Sequence, residues 1–270
     1  MDTPRGVWIE LNLYFDTKLA NNFNSNSQKI RILTEDWVLR TAFCPNCGEK
    51  DIMQYPNNRP VADFFCSSCD EDYELKSKEG KIGKKIVDGA YSTMIERLNS
   101  NSNPNFLMLS YDKGSQAVKN FLCVPKHFFI PKLIEMRRPL APTARRAGWV
   151  GCNILLDHIP ESGKVYFVRD GIQLPQQSVL DKWKETLFLR QEYKHSGKGW
   201  LIEILLVIEK IGKTEFTLDD IYKYESELTA LHPENHHIKD KIRQQLQVLR
   251  DKNYLTFINR GVYRLINHSI

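Results

Sequence analysis

The sequence predicts a mixed α/β protein in two parts, and three observations carry that reading. Short runs in which apolar and polar residues alternate, VADFF (61–65) and YELKSK (73–78), surround a cysteine knuckle and read as strands. A polar, glycine-bearing stretch, QEYKHSGKG (191–199), then interrupts the chain as a linker would. Beyond it, apolar residues recur at helical spacing in three segments before a closing hairpin pattern. The expected division is 1–192 and 198–270.

The first residues, 1–28, open on the alternation WIELNLYF and end in the Asn/Ser-rich loop NNFNSNS. SQKIRILTEDWVLR follows with helical spacing, placing Ile30, Leu33, Trp37 and Val38 on one face, with Asn26 or Ser27 able to cap it. That helix leads into the first of two Cys-x-x-Cys pairs, Cys44/Cys47 and Cys66/Cys69, separated by eighteen residues. The spacing is that of a four-thiolate zinc site. A gap of two residues lets both sulfurs of a turn reach one tetrahedral Zn²⁺ at about 2.3 Å, and four thiolates close the site, so the zinc would be structural. The alternatives are ordinary buried cysteines or disulfides, the latter disfavoured because nothing else marks the chain as secreted. Cys123 and Cys152 have no partner at ligand spacing and read as buried thiols.

Around the second knuckle lie Asp63, Glu74 and Lys76. On a strand, Glu74 and Lys76 share one face while Tyr73, Leu75 and Ser77 share the other. Cys66 to Asp72 then forms the metal-pinned turn of a hairpin, and Asp63 stands roughly 10 Å of strand before the knuckle. Its arm and the arm bearing Glu74 and Lys76 can converge. Two carboxylates beside a lysine suit a hard divalent cation such as Mg²⁺. The cation can polarise a phosphodiester and acidify a bound water, while the lysine orients that water or offsets developing charge. The pattern Asp-x₁₀-Glu-x-Lys therefore reads as a metal-dependent phosphodiesterase of the PD-(D/E)xK kind. By itself it is also what an exposed strand face with solvated charges looks like.

After the trio, DGAYSTMIERL reads as a helix, and NPNFLMLSYD and VKNFLCVP read as strands, which gives a mixed α/β sheet. RRPLAPTARRAGWVGCN is neither helix nor alternating strand. Its arginines, Arg145 and Arg146 among them, suit phosphates or guanine edges. Trp149 either contacts a base or methyl group or packs into the core.

In the last third, WLIEILLVIEKI is apolar nearly all round and should be buried. Thr217 and Asp220 form a capping pattern that opens a second helix, TLDDIYKYESEL. HIKDKIRQQLQVLRDK puts Ile238, Ile242, Leu246 and Leu249 on a core stripe and shows Lys239, Arg243, Gln244, Gln247 and Arg250 on other faces. YLTFI and VYRLI close as a hairpin with Arg260 at its Asn-Arg-Gly tip. Three helices and a β-ribbon make a winged helix whose third helix enters the major groove. There Gln can bond adenine and Arg guanine, although each residue also serves simply as a solubilising surface.

Composition supports a nucleic-acid partner. The net charge is only +5, yet residues 113–150 carry eight Lys/Arg against one acid, and residues 235–270 carry seven against two. Two basic clusters on a weakly basic chain are what a polyanion-binding protein shows. No apolar run approaches the roughly eighteen residues of a membrane span, and no signal peptide is visible, so a cytoplasmic protein is expected.

NNRPVADFFCSSCDEDYELKSK, RILTEDWV and RRPLAPTARRAGWVGCN resemble the DpnI family of restriction endonucleases. The likeness continues through DGAY, NPNF, LFLR, FTLDD and HIKDKIRQQLQVLRDK, over nearly the whole chain. It implies a PD-(D/E)xK core with an embedded four-cysteine zinc site and a C-terminal winged helix. It implies Asp63, Glu74 and Lys76 as the catalytic trio, with the Leu75 carbonyl completing the Mg²⁺ shell. The substrate it implies is double-stranded DNA at GATC sites carrying N6-methyladenine; a monomer without a membrane partner is expected. The rival is a zinc and winged-helix regulator that binds methylated DNA without cutting it, and such a protein has no need of the trio.

Overall fold

The computed structural model describes residues 11–56, 62–100, 102–191 and 195–266. Residues 8–10 of the opening alternation, Val61 of the first strand run and residues 192–194 of the linker lie outside them. In chain order the elements begin with α1 (Asn26–Thr41), β1 (Met53–Gln54), β2 (Phe64–Phe65), β3 (Asp72–Glu79), β4 (Lys85–Ala90) and α2 (Tyr91–Asn99). Next come β5 (Asn105–Asp112), β6 (Ala117–Val124), β7 (Ile134–Met136), β8 (Gly151–Leu155), β9 (Val165–Arg169), β10 (Ile172–Gln173) and α3 (Gln176–Lys184). The rest is α4 (His195–Ile211), β11 (Glu215–Thr217), α5 (Leu218–Tyr222), α6 (Glu225–Leu231), α7 (Ile238–Asp251), β12 (Leu255–Asn259) and β13 (Val262–Leu265). Two compact units alternate along the chain: Met1–Gly83, Asn103–Lys126 and Val165–Trp183 form one, and Lys84–Ser102, His127–Lys164 and Lys184–Ile270 the other.

The first unit is built on a seven-stranded sheet of order β1-β2-β3-β5-β6-β9-β10. Its neighbours are antiparallel except β3 and β5, which run parallel. Parallel neighbours need a long crossover, and β4 with α2 supplies the chain length. β5 is buried from Asn105 to Tyr111, the mark of a strand covered on both faces. Three of the four predicted residues of α1 pack inward: Leu33, Trp37 and Val38 are buried while Ile30 is half-buried, and the Trp37 ring meets Phe121 of β6 edge-on at 5.3 Å. The cap differs from expectation. Ser25 is the N-cap residue, and its hydroxyl bonds the Ser27 hydroxyl at 2.7 Å instead of a helix N–H.

In the second unit β4, β8 and β7 form an antiparallel sheet of their own. α4 begins at His195, so the later half of the expected linker is the first turn of this helix. Seven of its apolar residues, Trp200, Leu201, Ile202, Ile204, Leu205, Val207 and Ile208, are buried, which accounts for a helix apolar all round. The segment expected as one helix after Thr217 is two, because Tyr224 N–H turns back to the Ile221 carbonyl at 2.9 Å, a tighter bond than an α-helix makes. On α7 the stripe Ile238, Ile242, Leu246 and Leu249 is buried as expected. Each such side chain contributes roughly 1.5–3 kcal/mol, several times the worth of any surface ion pair. The closing hairpin acquires a third strand, in the order β11-β13-β12, with Glu215 opposite Arg264.

Candidate active site and nucleic-acid interface

The two knuckles repeat one backbone pattern. The Cys44 N–H donates to the Glu49 carbonyl and the Cys44 carbonyl accepts from Gly48, both at 2.8 Å. Cys66 does the same with Glu71 at 2.9 Å and Asp70 at 3.0 Å. The fifth residue of each turn takes a positive φ, +84° at Gly48 and +56° at Asp70, a region that glycine and aspartate enter at little cost. Ser68 ties the second turn to the first through the Glu49 carboxylate, at 2.7 Å.

The turns converge four sulfurs. Cys44, Cys47, Cys66 and Cys69 lie with their Sγ atoms all within 4.8 Å, and the Cys44–Cys69 and Cys47–Cys66 separations are 3.5 Å. Tetrahedral Zn–S bonds of about 2.3 Å would set sulfurs about 3.8 Å apart, so the cluster fits structural zinc. Two neutral donors approach it. The Tyr73 hydroxyl lies 3.1 Å from Cys44 Sγ, and the Asn46 side chain bonds Cys69 while accepting Trp183 Nε1–H at 3.0 Å. Burial pushes the Cys69 thiol up, but Asn46 and Cys44 outweigh it and hold the thiol below its ordinary value. Burial dominates at Cys44 and Cys66 and pushes both thiols up.

Strand pairing sets Asp63 against the backbone of the strand that carries Glu74 and Lys76. β2 pairs with β3 through Phe64↔Tyr73 and Phe65↔Asp72, with the knuckle as the turn. Asp63 N–H donates to the Tyr73 carbonyl at 2.9 Å, and Asp63 Oδ2 accepts Leu75 N–H at 2.7 Å. Lys76 Nζ donates to Glu74 Oε1 at 2.5 Å and stands 5.7 Å above the centre of the buried Phe106 ring of β5. Both side chains are about four-fifths buried, at 19% exposure for Glu74 and 18% for Lys76.

The sequence reading missed a second layer beside this strand. Arg31 of α1 is held by Glu35 at 2.6 Å, and both Glu35 and the nearby Asp63 carboxylate favour its charged form. Glu35 also accepts from Gln54 of β1 at 3.0 Å. The i, i+4 spacing of Arg31 and Glu35 was visible, but only the fold shows that this face of α1 turns toward Asp63.

The residues expected to touch DNA lie in three places. Lys239, Arg243, Gln244, Gln247 and Arg250 are on α7, and Arg260 is exposed at the tip between β12 and β13. Three α7 cations are paired: Lys239 with Glu225 at 3.4 Å, Arg250 with Asp251 at 2.9 Å, and Arg243 with Asp240 and the Tyr222 hydroxyl. Arg145 and Arg146 are exposed in the 137–149 loop. Trp149 does not join the core. It is half-buried, with the Arg146 guanidinium 4.5 Å over its ring and its edge so close to Gly151 that a Cβ there would sit 2.8 Å away. Cys123 and Cys152 are buried thiols.

Residues 11–192 match the model of the DpnI, Dam-replacing family, and residues 196–265 match that of the Dam-replacing helix-turn-helix domain. The chain belongs to this family. It is in general terms a methyl-directed restriction endonuclease, with a DNA-binding helix-turn-helix domain after its nuclease part. No described helix is long and apolar enough to cross a membrane.

Proposed function

We propose that this family member hydrolyses double-stranded DNA at GATC sites containing N6-methyladenine, as a type II enzyme that depends on Mg²⁺. The observation that supports the reading most is the paired hydrogen bonding at β3, where Asp63 hooks onto the Leu75 N–H and Lys76 bonds Glu74. Asp63, Glu74 and the Leu75 carbonyl would hold the cation, an all-oxygen donor set of the kind Mg²⁺ takes. When bound there, Mg²⁺ supplies Lewis acidity toward a backbone phosphate and a more acidic coordinated water. Lys76 turns or helps deprotonate the attacking water and offsets negative charge as it grows on the phosphate oxygens. Attack is direct, with no covalent enzyme intermediate, and the bond cut lies between the methylated adenine and thymine on each strand.

Reading the site falls to α7 and the wing. The methylated amino group keeps one hydrogen and gains an apolar carbon in the major groove, so its reader needs a polar contact and an apolar pocket. Gln244 and Gln247 suit the adenine edge, Arg243 suits guanine, and Lys239, Arg250 and Arg260 suit phosphates. Arg145, Arg146 and Trp149 form a second DNA-contacting surface. The functional division runs 1–192 for cutting and 198–270 for binding, in a cytoplasmic monomer whose thiols stay reduced on structural zinc. A non-cutting regulator would share the zinc and the winged helix but leaves the trio without a role.

The test is one plasmid in two forms, GATC-methylated and unmethylated, incubated with the protein and Mg²⁺. Cutting of the methylated form alone is expected, with one zinc per chain by metal analysis. Retention of methylated plasmid without nicking, at any divalent metal tried, would favour the regulator.

A further inference from the structure

The second cysteine knuckle is the turn of the hairpin beside which the trio lies, and Tyr73 is where the two meet. It is the first residue of β3 paired to both neighbours, with Phe64 on one side and Asn105 on the other. Its side chain is 1% exposed and reaches the Cys44 sulfur, while its carbonyl accepts the Asp63 N–H. The next residue along is Glu74. A one-residue slip of a strand exchanges its faces, so a fixed point at one end decides which side chains meet. The phenol is a stiff arm of two rotatable bonds, and a donor to a thiolate makes a charge-assisted bond. Asn46, the other neutral donor to the cluster, sits in the first knuckle and not on β3.

We propose that Tyr73 is a positioning residue that couples the cysteine cluster to the hydrolytic site: its hydroxyl, donated to Cys44, fixes the register of the strand carrying Glu74 and Lys76. Loss of the metal therefore loosens the trio before it touches the DNA-binding face. This rests on the reading of Asp63, Glu74 and Lys76 as a divalent-cation site.

The full-length, zinc-loaded chain provides the test, with Co²⁺ as the probe of the cysteines and Mn²⁺ as the probe of the trio. Tyr73→Phe is expected to shift the thiolate-to-cobalt charge-transfer band and to speed metal release to a chelator about tenfold. It is also expected to weaken Mn²⁺ binding severalfold while methylated-DNA binding is unchanged. Asn46→Ala is expected to speed metal release as well but to leave Mn²⁺ binding as in the wild type. An unmoved cobalt band in Tyr73→Phe, or Mn²⁺ binding weakened equally in both variants or in neither, would overturn the coupling. If wild type and Asp63→Ala bind Mn²⁺ alike, the trio reading itself fails and takes the coupling with it; the cobalt band then reports only a partner of Cys44.

Discussion

β3 and α7 carry charged side chains of the same types and hold them in opposite ways. On β3, Glu74 and Lys76 are mostly buried, and Asp63, just before β2, is locked to the β3 backbone at two points. On α7, Lys239 is 52% exposed and Arg243 51%, each resting on a nearby carboxylate. Exposed pairs of that kind are worth about 0–1 kcal/mol, so under the proposed reading a DNA phosphate would displace Glu225 or Asp240 at little cost. Hydrolysis needs atoms at set points, whereas groove binding needs cations that can be released. Replacing one residue should therefore be far more damaging on β3 than on α7.

The largest effect is expected on the strand side. Lys76→Ala, or Asp63→Ala, is expected to lower cleavage by about 10³-fold or more while methylated-DNA affinity is kept, measured by single-turnover cutting and by a binding titration on the same preparation. Parallel loss of binding in a folded variant would break the contrast between the two regions.

Cys69→Ser probes what holds β3 in place. It removes one of the four sulfurs, and zinc binding in such clusters is folding energy. The thermal midpoint is expected to fall by about 10 °C, with bound zinc lost in the same variant. A serine variant that keeps its midpoint would mean the knuckles are held by packing alone.

Across α7 the effects should be smaller and of two kinds. Gln244→Ala is expected to cost about 1–3 kcal/mol and to blur the preference for methylated over unmethylated sites. Lys239→Ala should weaken all DNA alike and reduce the salt slope of binding by about one. Identical behaviour of the two would mean that this face does not read bases. Point changes are the better tool here. Residues 200–270 share a compact unit with 84–102 and 127–164, and Glu209 of α4 accepts the N–H groups of Glu161 and Ser162 at 2.9 and 3.1 Å. Deleting the segment would strip a core as well as a DNA-binding face.

What the sequence made legible was local. Cys-x-x-Cys turns, alternation around Glu74, the capping pattern at Thr217 and the α7 stripe are all set by neighbours a few residues away. What it concealed depends on distant pairing. The parallel register of β3 with β5 joins residues about thirty positions apart, β11 becomes a strand by pairing with the distant β13, and Tyr73 looked like one more apolar strand residue until Cys44 stood beside it. Trp149 shows the same limit, since no local signal says whether an aromatic ring will be sealed over by chain from elsewhere.

The smallest expected effect lies at the start of α5. Thr217 accepts the Asp220 N–H at 3.1 Å, and Asp220 returns the bond to the Thr217 N–H at 3.1 Å, a complete capping box. Thr217→Ala should cost about 1 kcal/mol and lower the midpoint by a few degrees, read by calorimetry. The Lys223 ammonium, then the Thr217 N–H, hold the Asp220 carboxyl well below its ordinary value of 3.8. A carboxylate so depressed stabilises the fold above that ordinary value and loses its contribution as pH falls below it. Asp220→Asn should therefore narrow the gap to wild type on acidification from about pH 7 toward about pH 3. Lys223 is exposed, so added salt should remove part of that gap and leave the part due to the N–H bond. A gap insensitive to both pH and salt would mean the helix start is held by its apolar contacts, and that even this most local signal was settled by packing.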